Sequence, residues 1–402
     1  MTAWLTRDRL VLLAWLFCVS VFGFYMAVVV TGTLVPERAG RADFIAFHNA
    51  SQMALLGDAA GAYDWSRLRL LQAETLGIPP EALEGFLGWV NPPHFFFYVL
   101  PFGLLSYGAG WFAWVVATVL VLILALRVAF PDMAGPASML ALAMPAVLIC
   151  IGLGQNGVLT AALLCLTFAL MDRRPVLAGL ALGLLTYKPQ FGLLLPLLLV
   201  ATGRWRVFVS AAATAVTLMA GSAFAFGLDA WSGFLGALSR NDAMYLGERH
   251  AALPRIQSVY ALVFDATDDR MLAWMVHVPF AAGIAVLVLW LWLRRPEGLL
   301  EARSAAAMAA AFLMTPFTWI YDAVALGGAA LFLVAAARRE GWLAGERAML
   351  LVACLLPGIV LLGVRSPMVA PAAWLLILAC AWRRDRAWRL SRAPSDSPSA
   401  GT

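Results

Sequence analysis

Charge is scarce in this 402-residue chain: Asp, Glu, Lys and Arg together make up 13% of it, whereas a soluble domain carries about 25%. Lysine is scarcer still. Of 28 basic residues, all but Lys188 are arginine. With 63% hydrophobic residues and a mean hydropathy of +0.84, the composition excludes a water-soluble enzyme and leaves a polytopic membrane protein.

Other absences narrow the reading. There is no repeat of two similar halves, which many transporters have. The five cysteines, Cys18, Cys150, Cys165, Cys354 and Cys380, lie in apolar runs without metal-ligand spacing, so they read as small core residues and say nothing of redox compartment. No paired-carboxylate metal motif is evident, and neither a metal nor a cofactor is expected. Segment Leu10–Thr31 exceeds the 7–15 apolar residues of a signal-peptide core, and no A-x-A site closes it; it reads as an uncleaved anchor. The net charge of +5 is no sign of nucleic acid, because the arginines gather at the ends of apolar segments, as the positive-inside rule requires.

Crossing a hydrocarbon core of roughly 30 Å takes about 20 helical residues, and lipid admits only helices for runs of this kind. Apolar runs near 156–171, 175–188, 190–203, 206–227, 271–293, 304–321, 323–337, 348–364 and 367–382 alternate with short arginine-bearing connections. Those connections mark the cytoplasmic side, placing both termini inside and Lys188 outside. Between 92 and 154 lie three further runs, 93–106, 109–129 and 138–153; one of them has to dip or lie in the interface if both termini are cytoplasmic. The reading is a single domain over residues 1–390, an all-α bundle of about twelve transmembrane helices, with a disordered tail at 391–402. Two connections, 32–91 and 228–270, are long enough to be extracytoplasmic loops with a role of their own.

The first loop contains DFIAFHNASQMALLGD (43–58), whose Phe44, Phe47, Met53, Ala54 and Leu55 are spaced like an interfacial amphipathic helix. Tyr63-Asp64-Trp65 and a second helical stretch, 67–76, follow. Asp43 either caps the first helix or presents a carboxylate as a general base at the membrane surface. NPPHFFFYVLP (91–101) opens with a proline pair suited to the first turn of a helix, and its aromatics read as an interfacial belt. Gln155 and Asn156 interrupt two apolar segments, where unpaired amides are costly, so they cap a helix end or bind a polar ligand.

Lys188 precedes Pro189, which disfavours helix at the lysine. An ammonium at mid-membrane costs on the order of 2.5–3.5 kcal/mol on insertion scales. It either snorkels or supplies a compact point charge suited to a phosphate. Tyr321 and Asp322 sit at another outer helix junction, and an intramembrane carboxylate is a functional candidate by default. DATDDR (265–270) reads as a solvated turn.

In chain order, Asp43, Gly57…Tyr63, Asn91-Pro92-Pro93, Gly154-Gln155-Asn156, Lys188-Pro189 with Arg204-Trp205-Arg206, and Pro316…Tyr321-Asp322 resemble the family 87 glycosyltransferases over most of residues 10–340. The resemblance implies a GT-C-like membrane enzyme of the plasma (inner) membrane. It implies an outward-facing site and a polyprenyl-phosphate sugar donor, often mannose, used on a lipid or glycan acceptor. The family's first-loop acid carries over to Asp43. Some members have a His-His pair where this chain has Tyr321-Asp322, so a histidine-dependent role would pass to His250. Asp43 is then the base, and Lys188, with Arg249 or Arg255, the phosphate clamp; Gln155, Asn156, Tyr321, Asp322, Asn91 and Tyr63 complete the expected substrate contacts. In-line attack inverts the sugar. The alternative is a transporter or flippase of a lipid-linked or anionic substrate.

Overall fold

The computed structural model describes residues 43–83, 86–246, 256–294 and 299–391, with the side chains of 241–246 excepted. Among these residues the chain is helical throughout, with one isolated antiparallel bridge between Ile256 and Trp319. In order the helices are α1 (Phe44–Leu55), α2 (Trp65–Leu76), α3 (Phe96–Gly103), α4 (Tyr107–Ala129), α5 (Ala134–Leu142), α6 (Pro145–Leu153), α7 (Gly157–Leu170), α8 (Pro175–Leu184) and α9 (Leu195–Ala201). They continue as α10 (Trp205–Phe226), α11 (Leu228–Leu246), α12 (Val259–Thr267), α13 (Arg270–Leu293), α14 (Leu300–Leu313), α15 (Ala325–Glu340), α16 (Glu346–Leu355) and α17 (Val369–Ser391). The expected anchor at 10–31, Arg249, His250, Arg255 and the tail beyond 391 lie outside the described residues.

Among the described residues, four helical segments are long and apolar enough to cross a bilayer: Tyr107–Ala129, Trp205–Phe226, Arg270–Leu293 and Ile320–Glu340. A fifth candidate is the pair Pro131–Leu142 and Pro145–Leu153, bent by 65° where Pro145 starts α6. Helices α7, α8 and α9 are apolar but shorter, and α3, at eight residues, spans only about 12 Å.

The core is built on α14, LEARSAAAMAAAFL, which is buried at every residue from Ala302 to Leu313. A helix buried on all sides loses the polar stripe of a surface helix, and its run of alanines lets α15 and α17 approach closely. At its end Phe312 stacks on Trp374 with centroids 4.5 Å apart.

Two local expectations are corrected. α1 does not lie in the interface with one wet face: Phe44 to Ser51 are continuously buried, packed against α2 and α3. His48 is held there by an Nε2 bond to the Leu105 carbonyl at 3.0 Å, and burial lowers its pKa below the usual imidazole value. Phe95 and Phe96 are not an aromatic belt but stack on Trp89 inside the protein, at 5.8 and 4.9 Å. Within 228–270 the described residues include α11 and α12. Side-chain caps fix the starts of α2 and α13. Asp64 caps α2, accepting from the Ser66 and Arg67 amides at 3.0 and 3.4 Å, and Gly77 closes it at φ 66. In the acidic stretch, Asp269 caps α13 through the Leu272 amide at 3.0 Å.

The arginine-bearing turns gather at one end of the bundle. Arg204 reaches Asp172 at 3.1 Å and stacks on Trp292. Arg303 donates to the Arg294 carbonyl at 2.9 Å, Arg339 pairs with Glu301 at 2.8 Å, and Arg384 grips Glu346 at 2.5 and 2.6 Å. The starts of α7 and α15 and the end of α8 lie at the opposite end of these same helices, and there the remaining polar residues converge.

Candidate functional site

The site is organised by the turn that joins α6 to α7. Gly154 ends α6 in the left-handed region, at φ 64, a conformation open to glycine at little strain. A Cβ on it would come within 2.5 Å of the Phe44 Cβ, so the glycine also lets the turn press against the start of α1. Gly157, on the far side of the turn, would place a Cβ 2.3 Å from the Tyr321 carbonyl oxygen. Two small residues therefore wedge Gln155-Asn156 between Asp43 on one side and Tyr321-Asp322 on the other.

Asp43 stands at the N-cap position of α1, but its side chain makes no capping bond. Its Oδ2 instead accepts from Gln155 Nε2 at 2.9 Å, across 112 residues of sequence. Tyr107 lies within electrostatic reach of the same carboxylate. The capping role is thus excluded for Asp43, whereas Gln155 Oε1 also accepts from the Asn156 amide at the start of α7, at 3.4 Å. Asn156 is 1% exposed, and its Oδ1 meets no hydrogen-bond donor, an uncompensated acceptor of the kind that marks a functional place.

Lys188 sits in a break between two short 3-10 turns, with φ −123 and ψ 73, outside the helical region that a following proline disfavours. It does not snorkel. It is buried, and its Nζ forms an ion pair with Asp322 Oδ1 while lying 5.1 Å from the Tyr321 ring centroid and 5.5 Å from that of Phe191. Asp322 is buried rather than interfacial; its Oδ2 accepts from the Trp319 amide at 3.1 Å and so fixes the turn that leads into α15. Tyr321 stacks on Trp319 with rings 3° from parallel. An ammonium in this place is held by a partner that also caps a helix, which explains why a lone lysine survives among leucines.

Two residues adjoin the site without a sequence signal strong enough to single them out. Thr160 and Tyr187 share a hydrogen bond of 2.9 Å, and Thr160 donates to the Asn156 carbonyl at 3.1 Å, so Tyr187 links the lysine turn to the start of α7. The only hints were local: Tyr187 precedes Lys188, and Thr160 lies one helical turn after Asn156.

The two other expected contacts are placed elsewhere. Tyr63 is buried, and its hydroxyl donates to the Asn91 carbonyl at 2.7 Å, so this pair ties the first long connection to the start of α3. Arg240 of α11 donates to the Tyr63 carbonyl at 2.7 Å, joining both long connections. Among the described residues no group of three His, Cys, Asp or Glu could hold a metal ion.

This arrangement pairs a carboxylate with an ammonium on two sides of one turn inside an apolar bundle. Residues 89–316 match the family model described as glycosyltransferase family 87. The chain belongs to glycosyltransferase family 87. No curated protein and no solved structure matches it. Membership makes the chain a membrane glycosyltransferase and decides against the transporter reading. The matched region of this family 87 member includes Asn91, Gln155, Asn156 and Lys188. Asp43 precedes it, and Tyr321 and Asp322 follow it, so their assignment rests on the geometry above.

Proposed function

We propose that the protein transfers a hexose, mannose in the first instance, from a polyprenyl-phosphate carrier to a hydroxyl of a lipid or glycan acceptor, with inversion. The observation that carries this reading is the shared turn: Gln155 bonds Asp43, and two residues on, Gly157 abuts the carbonyl beside the Lys188–Asp322 pair.

A sugar on a lipid phosphate already has a good leaving group, so the reaction needs a base for the acceptor and a cation for the departing phosphate. Asp43 takes the acceptor proton as the oxygen attacks C1. The C1–O bond to phosphate breaks with its electron pair on the phosphate, which gains a negative charge. Lys188 meets that charge. Its ammonium has three N–H donors, one directed to Asp322, which leaves donors for phosphate oxygens. The Asp322 pair keeps the cation in place before the donor arrives and is weaker competition once the leaving group is fully ionised. Asn156 Oδ1 accepts a sugar hydroxyl, the Trp319–Tyr321 stack offers a ring face to the sugar, and Arg249, His250 and Arg255 complete the phosphate side.

The same reading places the site on the extracytoplasmic face of the plasma membrane, with both termini cytoplasmic. The shorter apolar helices α7, α8 and α9, with α14, α16, α17 and the anchor at 10–31, complete about twelve spans, and 32–91 and 228–270 form two outer loops. It is supported by the concentration of arginine turns at the end of the bundle opposite Lys188. Asp43→Asn keeps the shape and removes the base. Transfer from labelled donor in vesicles should fall by roughly 10²–10⁴-fold, with the protein still folded. Wild-type transfer by this variant would overturn the assignment.

A further inference from the structure

At the end of the bundle opposite the site, several guanidiniums gather around one side chain. Trp290, near the end of α13, has two guanidiniums over its indole: Arg294 at 4.0 Å and Arg389 at 4.9 Å from the ring centroid. Arg389 comes from α17 and is bridged to Asp385 at 2.7 Å. Asp385 also feels Arg303 and Arg294, so one carboxylate faces three guanidiniums. The neighbouring acids Asp172 and Glu301 are engaged by Arg204 and Arg339. One carboxylate leaves two of those charges unbalanced, and like charges gathered at one ring repel each other. A guanidinium stacked on an indole keeps its in-plane N–H donors available for a phosphate.

The face of α13 that bears Trp290 continues in apolar side chains without protein cover. Val286 is 66% and Leu293 53% exposed, and residues 286, 290 and 293 follow the helical spacing of one stripe. A soluble phosphate has no use for such a stripe; a headgroup attached to acyl chains does.

We infer that Arg294, Arg389 and Trp290 form a binding site for the phosphodiester headgroup of an anionic phospholipid, whose acyl chain lies along Val286 and Leu293. The site is distinct from the transfer site and does not depend on its assignment. Arginine rather than lysine is suited to it, since a stacked, planar cation pairs two oxygens at once.

Native mass spectrometry of the full-length protein in detergent tests this, with phosphatidylglycerol and phosphatidylcholine of equal chain length as probes. Wild type should retain phosphatidylglycerol in preference to phosphatidylcholine. Arg294→Gln/Arg389→Gln should lose about thirtyfold of that affinity. Arg173→Gln/Arg174→Gln removes the same charge from exposed positions in the turn before α8 and should retain the lipid. Trp290→Leu, which keeps both charges and the apolar stripe, should weaken retention, and inorganic phosphate should not displace the lipid. Equal loss in the two double variants, equal retention of the two lipids, undiminished retention by Trp290→Leu, or displacement by phosphate would each overturn the proposal.

Discussion

Neutralising one member of the Lys188–Asp322 pair tests how the solitary ammonium is tolerated. The two side chains are 8% and 1% exposed, so neither charge can turn to water when its partner is lost. Removing one partner of a buried ion pair costs about 3–5 kcal/mol, whereas replacing both by apolar residues of similar volume is roughly neutral. Asp322 also accepts from the Trp319 amide at 3.1 Å, and losing that bond adds about 1 kcal/mol. Lys188→Met should therefore lose about 3–5 kcal/mol and Asp322→Leu somewhat more, while the double variant should lose only about 1–2 kcal/mol. Reversible unfolding in detergent micelles measures the three values, and transfer assayed in parallel should be abolished in all three variants. Single variants within about 1 kcal/mol of wild type, or a double variant as unstable as the sum of its parts, would show that the two charges do not hold each other.

Three more outcomes are expected. Gly157→Ala puts a methyl 2.3 Å from the Tyr321 carbonyl and should destabilise by about 1–3 kcal/mol, while Gly135→Ala, with nothing within 4 Å, should not; thermal unfolding compares them. Gln155→Leu removes the donor to Asp43 and should lower kcat with KM for the donor little changed; a rise in KM alone would make Gln155 a substrate ligand instead. The Asp64 carboxyl is held below its ordinary value, chiefly by the Ser66 hydroxyl. Its contribution to α2 is therefore present at neutral pH and lost as pH falls through its lowered folded-state pKa. Amide exchange in Trp65–Leu76 should accelerate in acid relative to a matched helix, and Asp64→Ala should remove that difference.

The helical framework was largely legible in sequence because hydropathy changes at the ends of helices. The run read at 271–293 is α13 at Arg270–Leu293, 206–227 is α10 at Trp205–Phe226, and 156–171 is α7 at Gly157–Leu170. Hydropathy reports partition from water and does not say whether the neighbour is lipid or protein. By hydropathy α1 and Phe95–Phe96 therefore look interfacial, although they are packed inside. Asp43, Gln155, Lys188 and Asp322 each stood out as a polar residue in an apolar setting. Their partners did not, since the bonds span 112 and 134 residues and no local pattern encodes them. The helix-capping reading of Asp43 fails for the same reason: it has a nearby amide to cap and meets Gln155 instead.

The central claim is that Asp43 and Lys188 work on the same donor. Density for the protein bound to a non-hydrolysable polyprenyl-phosphate sugar tests it most directly. The account predicts phosphate oxygens within about 2.6–3.2 Å of Lys188 Nζ and C1 of the sugar on the side of the α6–α7 turn that faces Asp43. A headgroup bound at the arginine end, or one that touches Lys188 with its C1 directed away from Asp43, would contradict it.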